Sequence, residues 1–257
     1  MDRLKDRVVF VTGASSGIGA ACAREFARYG ARLLVAARRL DRLAALQEEL
    51  LELGAPAARA EQLDVRDAEA VARLVQNLPE EWQEIEVLVN NAGLSRGLSP
   101  LHKGLLDDWN EMIDTNVKGL LYVNRAVVPL MVRRGRGTVV HIGSIAGHEV
   151  YPGGNVYCGT KHAVRGITGA LRLDLLGSGV RVCSIDPGMV ETEFSEVRFH
   201  GDRERAAAVY RGTTALSAQD VAEVVYFAAS RPDHVDLAEV LLLPTDQASA
   251  TSVHRRE

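Results

Sequence analysis

A tyrosine and a lysine stand four residues apart in Tyr157-Cys-Gly-Thr-Lys161, within a segment whose spacing predicts a helix. At this separation both side chains lie on one face of the helix. A phenol with its usual pKa of about 10 exchanges protons poorly at neutral pH, and a neighbouring ammonium group favours its ionised form. The pair is therefore typical of general acid–base catalysis. Ser144 follows an apolar run at residues 139–142, and its hydroxyl group could meet the same ligand or could belong only to a turn.

The segment from residue 12 to residue 19, Thr-Gly-Ala-Ser-Ser-Gly-Ile-Gly, joins the first apolar run of the chain to a segment with helical spacing. Glycines in such a turn let the backbone bend sharply, approach a pyrophosphate closely and pack a helix against a strand. The N-terminus of the following helix offers amide donors and a favourable dipole to the anion. The position between strand and helix predicts a dinucleotide site, whose first residues are Gly13, Ser15, Ser16, Gly17, Ile18 and Gly19.

Residues 37–39, Ala-Arg-Arg, stand at the end of the second apolar run. An NAD site has Asp or Glu at this point, which accepts hydrogen bonds from the adenine-ribose hydroxyl groups. Here that carboxylate is missing, and two guanidinium groups stand where a 2′-phosphate would bind. Both arginines could instead be solvated surface residues. We predict NADP as the cofactor, with Arg38 and Arg39 at its 2′-phosphate.

Short apolar runs alternate with longer segments of helical spacing along the whole chain. The runs at 8–11, 33–37, 87–89, 139–142, 180–185 and 240–243 predict strands that are buried on both faces. Helices are predicted at 20–29, 41–53, 68–78, 107–133 and 156–176, with C-terminal caps at Gly30 and Gly54 and a capping box at Ser217. This alternation predicts an α/β fold, a single-domain Rossmann-type doubly wound parallel sheet with helices on both faces, over residues 1–257.

The longest stretch without regular spacing runs from about residue 188 to residue 215. In doubly wound sheets, ligands bind beyond the carboxyl ends of the strands. A long loop in the C-terminal half of such a chain is more typical of a substrate lid than of a linker. We therefore predict a lid over residues 188–215.

The overall composition excludes several classes of protein. Hydrophobic residues make up 47% of the 257 residues and charged residues 25%, which excludes a disordered or fibrous chain. A net charge of −4 gives no field that would attract nucleic acid or an anionic membrane. The first residues lack the apolar core of a secretory signal, and no stretch is long enough for a membrane span. Three cysteines without CxxC spacing favour a reducing compartment, so we expect a cytoplasmic protein without a metal site. His141 and His162 fall within predicted elements, where we expect structural roles.

Together these motifs resemble the short-chain dehydrogenases/reductases. The resemblance extends over essentially the whole chain, and it is carried in the family's order and spacing by residues 12–19, Asn90-Asn-Ala-Gly93, Asn116, Ser144, Tyr157, Lys161 and Pro187-Gly188. It implies hydride transfer between NADP(H) and a carbonyl compound or alcohol. A dinucleotide-sensing protein without catalytic activity is an alternative on the same fold, but such proteins usually lack the catalytic residues, which are all present here.

The resemblance also assigns roles to individual residues. It implies that Tyr157 is the general acid–base and that Ser144 orients the substrate oxygen. Lys161 would hold the nicotinamide ribose, and Asn116 would position a water molecule for proton relay.

Further contacts to the cofactor follow from the same resemblance. It places Asp64, after the third strand, at the adenine, and Asn91 at the cofactor ribose. The other expected contacts are Val65, Ala92, Gly93, Tyr157, Lys161, Pro187, Gly188, Val190 and Thr192.

Four segments resemble one branch of the family, the NADP-dependent 3-hydroxy acid dehydrogenases. They are Leu78-Pro-Glu-Glu-Trp82, residues 108–116, Gly153-Gly-Asn-Val-Tyr157 and residues 192–202. The resemblance implies serine, allo-threonine or a related 3-hydroxy acid as the alcohol-side substrate. A 3-oxoacyl thioester or a specialised-metabolite ketone is the alternative within the family.

Charged residues in the loops near the expected pocket bear on this choice. Arg96 or Arg198 would attract a substrate carboxylate and Glu149 would repel one, if these side chains face the pocket rather than solvent. We predict that Arg198, in the expected lid, binds the substrate together with Ser144 and Tyr157. The long helices predicted at 107–133 and 156–176 are compatible with a homo-oligomer, a tetramer or dimer, which the resemblance implies.

Overall fold

A seven-stranded parallel sheet, in the order β3-β2-β1-β4-β5-β6-β7, forms the centre of the computed structural model, which describes residues 3–256. The strands are β1 (Val8–Thr12), β2 (Arg32–Ala37), β3 (Ala58–Gln62), β4 (Ile85–Asn90), β5 (Gly137–Ile142), β6 (Val180–Pro187) and β7 (Glu239–Leu242). The strand order reverses between β1 and β4, and in such sheets ligands bind at the crevice beyond this switch point.

Ten α-helices are described in residues 3–256. They are α1 (Gly17–Arg28), α2 (Leu40–Glu52), α3 (Ala68–Gln76), α4 (Glu80–Gln83), α5 (Leu106–Ile113), α6 (Leu120–Arg134), α7 (Asn155–Asp174), α8 (Phe194–Arg198), α9 (Arg203–Ala208) and α10 (Ala218–Ala229). A π-helical segment, Asp114–Gly119, joins α5 to α6.

The side chains of the strands supply two hydrophobic cores, one on each face of the sheet. In β1, Val9 and Val11 point into the core that contains α1, α2 and α10, whereas Val8 and Phe10 point into the core that contains α3 and α6. All four side chains are at most 2% exposed. A parallel strand that is covered on both faces reads as a continuous apolar run, which explains why the central strands are visible in the sequence.

A chain of polar side chains is buried between β5, α6 and α7. His141 has no solvent exposure, its Nε2 lies 2.9 Å from Asn124 Nδ2, and its Nδ1 lies 2.8 Å from Thr168 Oγ1. Because the Thr168 hydroxyl donates to Val164 O, it accepts from the protonated Nδ1 of the imidazole. Burial lowers the pKa of His141 to about 3. The histidine is therefore neutral and structural, as predicted.

The structure confirms the fold class and refines several elements. Gly30 and Gly54 have positive φ angles after α1 and α2, and Ser217 opens α10 with the expected capping box. The predicted helix 107–133 is divided by the π-helical segment. The lid region contains α8 and α9, which its irregular spacing did not predict.

Two further features concern the whole molecule. Cys22, Cys158 and Cys183 are all buried and unpaired. Within residues 3–256, no helix has both the length and the apolar character that a membrane span requires.

Candidate active site

The glycine turn after β1 is held by side chains from the end of β4. Asn91 Nδ2 donates to the carbonyl oxygens of Thr12 (2.9 Å) and Gly13 (3.3 Å). Thr12 Oγ1 accepts in turn from the main-chain nitrogens of Asn91 and Ala92. A Cβ on Gly13, which has a φ of +67°, would lie 2.9 Å from Ala92 Cα. The turn therefore requires glycine at this position, and its shape is fixed before any ligand binds.

Three neighbouring cavities lie at the carboxyl ends of the strands. The glycine-turn cavity is lined by residues that include Gly13, Ser16, Gly17, Ile18, Asn91, Ala92, Gly93, Ser144, Tyr157, Lys161, Pro187, Gly188, Val190 and Thr192. The arginine cavity adjoins it and is lined by residues that include Ser15, Arg38, Arg39, Asp64 and Val65. The lid cavity, with a volume of about 420 Å³, lies beneath α8 and the residues after β7.

The cavities gather the predicted cofactor residues with one exception. Gly19 does not line them, because it packs behind the turn, where a Cβ would meet Asn91 Nδ2 and Gly13 O. The glycine-turn cavity and the lid cavity share Ser144, Tyr157, Gly188, Val190 and Phe194. The predicted catalytic hydroxyl groups therefore stand where a ligand in one cavity would touch a ligand in the other.

Ser144, Tyr157 and Lys161 form a buried group at this junction. Ser144 follows β5, and its hydroxyl group is hydrogen-bonded to Tyr157. Lys161 is one helical turn beyond Tyr157 on α7, and its Nζ donates to Ile142 O at 2.8 Å. Each of the three side chains is at most 9% exposed. Desolvation lowers the pKa of Lys161 to about 8, while the charge of Asp186 opposes this change.

Two cations lie near the ring of Tyr157, namely Arg198 and the predicted Lys161. Burial raises the pKa of the Tyr157 hydroxyl, and the charge of Arg198 followed by the hydrogen bond with Ser144 lowers it. Arg198 Cζ lies 5.4 Å from the centroid of the Tyr157 ring, and Lys161 Nζ lies 6.0 Å from it. Arg198 and Lys161 therefore both place a cation within 6.0 Å of the centroid of the Tyr157 ring.

Asn116 lies in the π-helical segment and lines none of the three cavities. Its Oδ1 accepts from the main-chain nitrogen of Leu94, and its Nδ2 donates to Leu94 O and to Thr160 Oγ1. The side chain therefore ties the loop after β4 to α7. A π-helical turn is often found at a functional site, and here it brings Asn116 between these two elements.

Ion pairs surround the arginine cavity. Arg39 donates through Nε and Nη2 to Ser15 Oγ, through Nη2 to Ser16 Oγ at 2.7 Å, and through Nη1 to Glu193 Oε2 at 3.1 Å. Arg38 is half exposed, and its Nη1 lies 3.6 Å from Glu111 Oε1. The glycine turn is thereby joined to the arginines that follow β2.

Asp64 lines the same cavity beneath an arginine that the sequence reasoning missed. Arg66 donates to both carboxylate oxygens of Asp64 and lies 3.9 Å from Glu111. The hydrogen bonds from Arg66 hold the pKa of Asp64 below its usual value, although burial opposes this. The spacing Asp-x-Arg after a strand was the available signal for Arg66.

The short helix α8 is attached at both ends. At its start, Glu193 binds Arg39 and also Arg42, whose Nη1 donates to both of its carboxylate oxygens at 2.6 and 2.9 Å. At its end, Arg96 Nη1 donates to Val197 O at 2.6 Å and Gly97 N donates to Arg198 O at 2.8 Å. Both ends of α8 are therefore attached to the segments that follow β2 and β4.

Arg198 reaches from α8 into the lid cavity. Its Nη2 donates to Tyr151 Oη at 3.1 Å, and its guanidinium group stacks against the rings of Tyr157 and Phe194. Its Nε is buried and has no hydrogen-bond partner among the described residues. A buried guanidinium nitrogen without a partner is costly, while the side chain as a whole is only partly buried and lines the cavity.

The other charged residues considered in the sequence have different positions. Arg96 donates to Glu111 Oε2 at 2.7 Å and does not line the lid cavity. Glu149 is directed outward, and its Oε2 accepts from the main-chain nitrogen of Ala250. Among the described residues that line the lid cavity, none is Asp or Glu, and two are arginines, Arg198 and Arg255. The cavity is therefore electropositive.

Several contributors to the site were not predicted. Tyr151, Tyr210, Gln247 and Arg255 line the lid cavity, and Glu193 and Glu111 complete the ion pairs around the arginine cavity. These residues lie in loops or on helix surfaces without a motif of their own. His148, Asp186 and Glu239 also come together, with potential ligand atoms within 4.8 Å, but Arg165 already donates to Glu239 and His148 is hydrogen-bonded to Asp186.

Comparisons with known proteins agree with this geometry. A family model described as short chain dehydrogenase matches residues 7–203. An NADP-dependent 3-hydroxy acid dehydrogenase (YdfG) of Salmonella typhi is 49% identical over 250 residues, which are 96% of this chain and 99% of that protein. An NADP-dependent 3-hydroxy acid dehydrogenase of Schizosaccharomyces pombe is 40% identical over 258 residues, with all of both chains covered. A solved structure of the closed form of a serine dehydrogenase complexed with NADP⁺ has a TM-score of 0.91, 45% identity, and coverage of 97% of this chain and 100% of that chain.

Proposed function

The chain belongs to the short chain dehydrogenase family, and from this premise we propose that it catalyses NADP-dependent oxidation of a 3-hydroxy acid or the reverse reduction. The observation that carries the substrate class is the partly buried Arg198, which stands beside Tyr157 and lines a cavity among whose described lining residues none is Asp or Glu. The solved and curated relatives named above act with NADP or on serine and 3-hydroxy acids, which supports the same reading.

The residues around the glycine turn fit an NADP molecule. α1 begins at Gly17 without a side-chain cap, and Gly17 and Ile18 line the glycine-turn cavity, so the first amide groups of the helix are available to a pyrophosphate. Ala37 leaves no carboxylate at the end of β2, while Arg38 and Arg39 line the adjoining cavity. We assign the 2′-phosphate to Arg38, Arg39 and Ser15, and the adenine to Asp64 and Val65.

In the proposed mechanism the bound cofactor supplies the hydride acceptor or donor. Tyr157 takes the proton from the substrate hydroxyl group during oxidation and returns it during reduction. Ser144, hydrogen-bonded to Tyr157, orients the substrate oxygen. Arg198 holds the substrate carboxylate, and its positive charge keeps the pKa of Tyr157 lower than burial alone would allow.

Lys161 and Asn116 support this arrangement from behind. Lys161 lines the glycine-turn cavity, where we assign it to the nicotinamide ribose. Because the side chain of Asn116 is committed to Leu94 and Thr160, we propose that it sets the position of α7, and that water for the proton relay is held by the main chain of the π-helical segment.

The experiment that tests the substrate class compares an acid with its uncharged analogue. The initial rate of NADP⁺ reduction at 340 nm is measured with 3-hydroxybutyrate, L-serine and allo-threonine, and with 1,3-butanediol, in which a hydroxymethyl group replaces the carboxylate of 3-hydroxybutyrate. We expect the acids to be the better substrates. Arg198→Ala should lower kcat/KM about 10- to 150-fold for the acids, the loss expected for one charge-assisted hydrogen bond, and much less for the diol.

A control variant separates this effect from general damage to the lid. Arg203→Ala removes an arginine whose side chain is 85% exposed at the start of α9. This variant should leave kcat/KM unchanged for both the acids and the diol. An equal loss for acid and diol in Arg198→Ala would contradict the role of Arg198. Activity on 3-oxoacyl thioesters or bulky ketones, but on none of the acids, would favour the alternative substrates. Tight NADPH binding without any turnover would favour the dinucleotide-sensing alternative.

Two further assignments complete the proposal. Leu121 and Val132 on α6 and Leu173 on α7 are 42%, 41% and 77% exposed, and we propose that these helices pack against copies of the chain in a dimer or tetramer, which light scattering would measure. We propose the cytoplasm as the location, in keeping with three unpaired cysteines. We also propose that the chain forms a single domain with a substrate lid over residues 188–215.

A further inference from the structure

Glu193 occupies an unusual position for a carboxylate, because it lies among arginines assigned to an anionic ligand. It lines the glycine-turn cavity, and it stands just before α8 in the lid region. Its two carboxylate oxygens accept three hydrogen bonds, one from Arg39 and two from Arg42. These hydrogen bonds hold the pKa of Glu193 below its usual value, against the effect of burial. The side chain is therefore ionised at neutral pH.

Four of the five N–H groups of Arg39 are already used by these contacts. Its Nε and Nη2 donate to Ser15 and Ser16, and its Nη1 donates to Glu193. A phosphate that binds Arg39 brings its own negative charge next to the carboxylate of Glu193. Two like charges at such close range repel each other, so Arg39 must serve one anion at the expense of the other.

Arg42 gives the carboxylate an alternative partner. Its Nη1 lies 2.6 and 2.9 Å from the two oxygens of Glu193, and Arg42 does not line the arginine cavity. Glu193 can release Arg39 and remain on Arg42, so the start of α8 stays attached to α2 while the phosphate binds.

We propose that Glu193 is an internal anion that competes with the 2′-phosphate of NADP for Arg39, and that it thereby limits the preference of the enzyme for NADP over NAD. This inference rests on the proposed assignment of Arg38 and Arg39 to the 2′-phosphate. Glu193 is a specificity-determining residue in this view, although the sequence places it in the lid rather than in the nucleotide site.

The test measures binding of two nucleotides by isothermal titration calorimetry, without turnover. Adenosine 2′,5′-bisphosphate carries the phosphate at issue, and 5′-AMP lacks it. Glu193→Gln removes the charge and keeps the size of the side chain. We expect it to lower the Kd for the bisphosphate about two- to fivefold, the range of a half-exposed ion pair, and to leave the Kd for 5′-AMP unchanged.

Glu196→Gln is the matched control. Glu196 lies in α8, three residues after Glu193, and is as exposed as Glu193 (43% against 42%). Its Oε2 lies 3.6 Å from Arg203 Nε, away from the arginine cavity. This variant makes the same change in net charge and should leave both Kd values unchanged. An equal gain in Glu196→Gln would show a general effect of charge and would overturn the proposal.

A double-variant cycle locates the competition at Arg39. In an Arg39→Ala background, Glu193→Gln should no longer tighten the bisphosphate. Thermal unfolding of each variant shows that it is folded, and a Glu193→Gln protein that is folded but binds the bisphosphate equally or more weakly overturns the proposal. If the wild-type protein itself binds the bisphosphate no more tightly than 5′-AMP, then the assignment of the 2′-phosphate site fails, and this inference with it.

Discussion

The group around Tyr157 and the walls of the arginine cavity both carry positive charge, but they hold it in opposite ways. Ser144, Tyr157 and Lys161 are nearly inaccessible to solvent. Burial raises the pKa of the Tyr157 hydroxyl group and lowers the pKa of the Lys161 ammonium group. Arg38 and Arg39 are 53% and 41% exposed and are paired with carboxylates.

The difference shows two ways to bind an anion. Beside the buried group, the partly buried Arg198 lies against the rings of Tyr157 and Phe194, where less water screens its charge. In the arginine cavity we expect the half-exposed Arg38 and Arg39 to share the binding of an anion, and each to contribute less because solvent and salt screen its charge. Single substitutions should therefore be decisive in the buried group and modest in the arginine cavity.

Replacing the hydroxyl group of Tyr157 is the most severe test of this comparison. Tyr157→Phe removes the proton donor and should lower kcat about 10²- to 10⁴-fold, while NADPH binding, followed by its fluorescence, should remain nearly intact. Tyr151→Phe is the matched control, because it removes a hydroxyl group that only accepts from Arg198, and it should cost far less. A Tyr157→Phe enzyme with more than about a tenth of the wild-type kcat would refute the catalytic role.

The buried His141 extends the comparison to stability. Its pKa is about 3 in the folded protein and about 6.5 in an unfolded chain. Below pH 6.5 the imidazole of His141 is protonated in the unfolded chain but not in the folded protein. The contribution of His141 to the free energy of unfolding is therefore fully present above pH 6.5 and is lost as the pH decreases. The free energy of unfolding should decrease by about 2 kcal/mol between pH 6.5 and pH 5 from this residue. Urea unfolding of the wild type and of His141→Gln measures the difference in slope, and parallel slopes would contradict the prediction.

In the arginine cavity we expect a smaller effect from a single arginine. Arg38→Leu should raise the KM for NADPH about tenfold, because a partly screened, charge-assisted hydrogen bond is lost, and should barely change the KM for NADH. Adding Ala37→Asp should then favour NADH, because a carboxylate at this point binds the ribose hydroxyl groups and repels the phosphate. The ratio of kcat/KM for the two cofactors is the measurement. An Arg38→Leu enzyme with unchanged preference would place the 2′-phosphate elsewhere.

A change in salt concentration should produce the smallest effect on ligand binding. It distinguishes the arginine cavity from the buried group most directly. Raising the ionic strength should weaken binding of adenosine 2′,5′-bisphosphate by a few-fold, since its arginines are half exposed. The KM for a 3-hydroxy acid should change less, because Arg198 is enclosed between Tyr157 and Phe194. Equal salt dependence for both ligands would remove the distinction between the buried group and the arginine cavity.

The features that the sequence could predict are those that depend on local spacing or on burial of a whole strand. Motifs that depend on local spacing, such as the glycine turn and the Tyr157–Lys161 pair, were found at once, as were strands covered on both faces. The pattern of apolar runs did not show β3, which only the family resemblance placed before Asp64, because it is an edge strand of sequence Ala-Arg-Ala-Glu-Gln that is only partly buried. Its polar residues give no continuous apolar run.

Contacts between distant segments were beyond the reach of sequence patterns. Glu193 is more than 150 positions from Arg42, and nothing in its neighbourhood marks it as a partner. The charge of Arg198 lowers the pKa of the Tyr157 hydroxyl group, an effect between α8 and α7 that spacing did not predict. The placement of Asn116 depends on a π-helical turn, which spacing alone did not predict.

We expect the position of α8 over the cavities to determine the order in which ligands bind and dissociate. Val197 lines both the glycine-turn cavity and the arginine cavity, and Arg198 lines the lid cavity. We expect a dinucleotide to enter or leave when this helix moves away, and a bound acid to keep the helix in place. We expect an ordered kinetic scheme in which the nucleotide is first to bind and last to dissociate. The slowest step of the cycle would then be the escape of the nucleotide, timed by the detachment of one short helix.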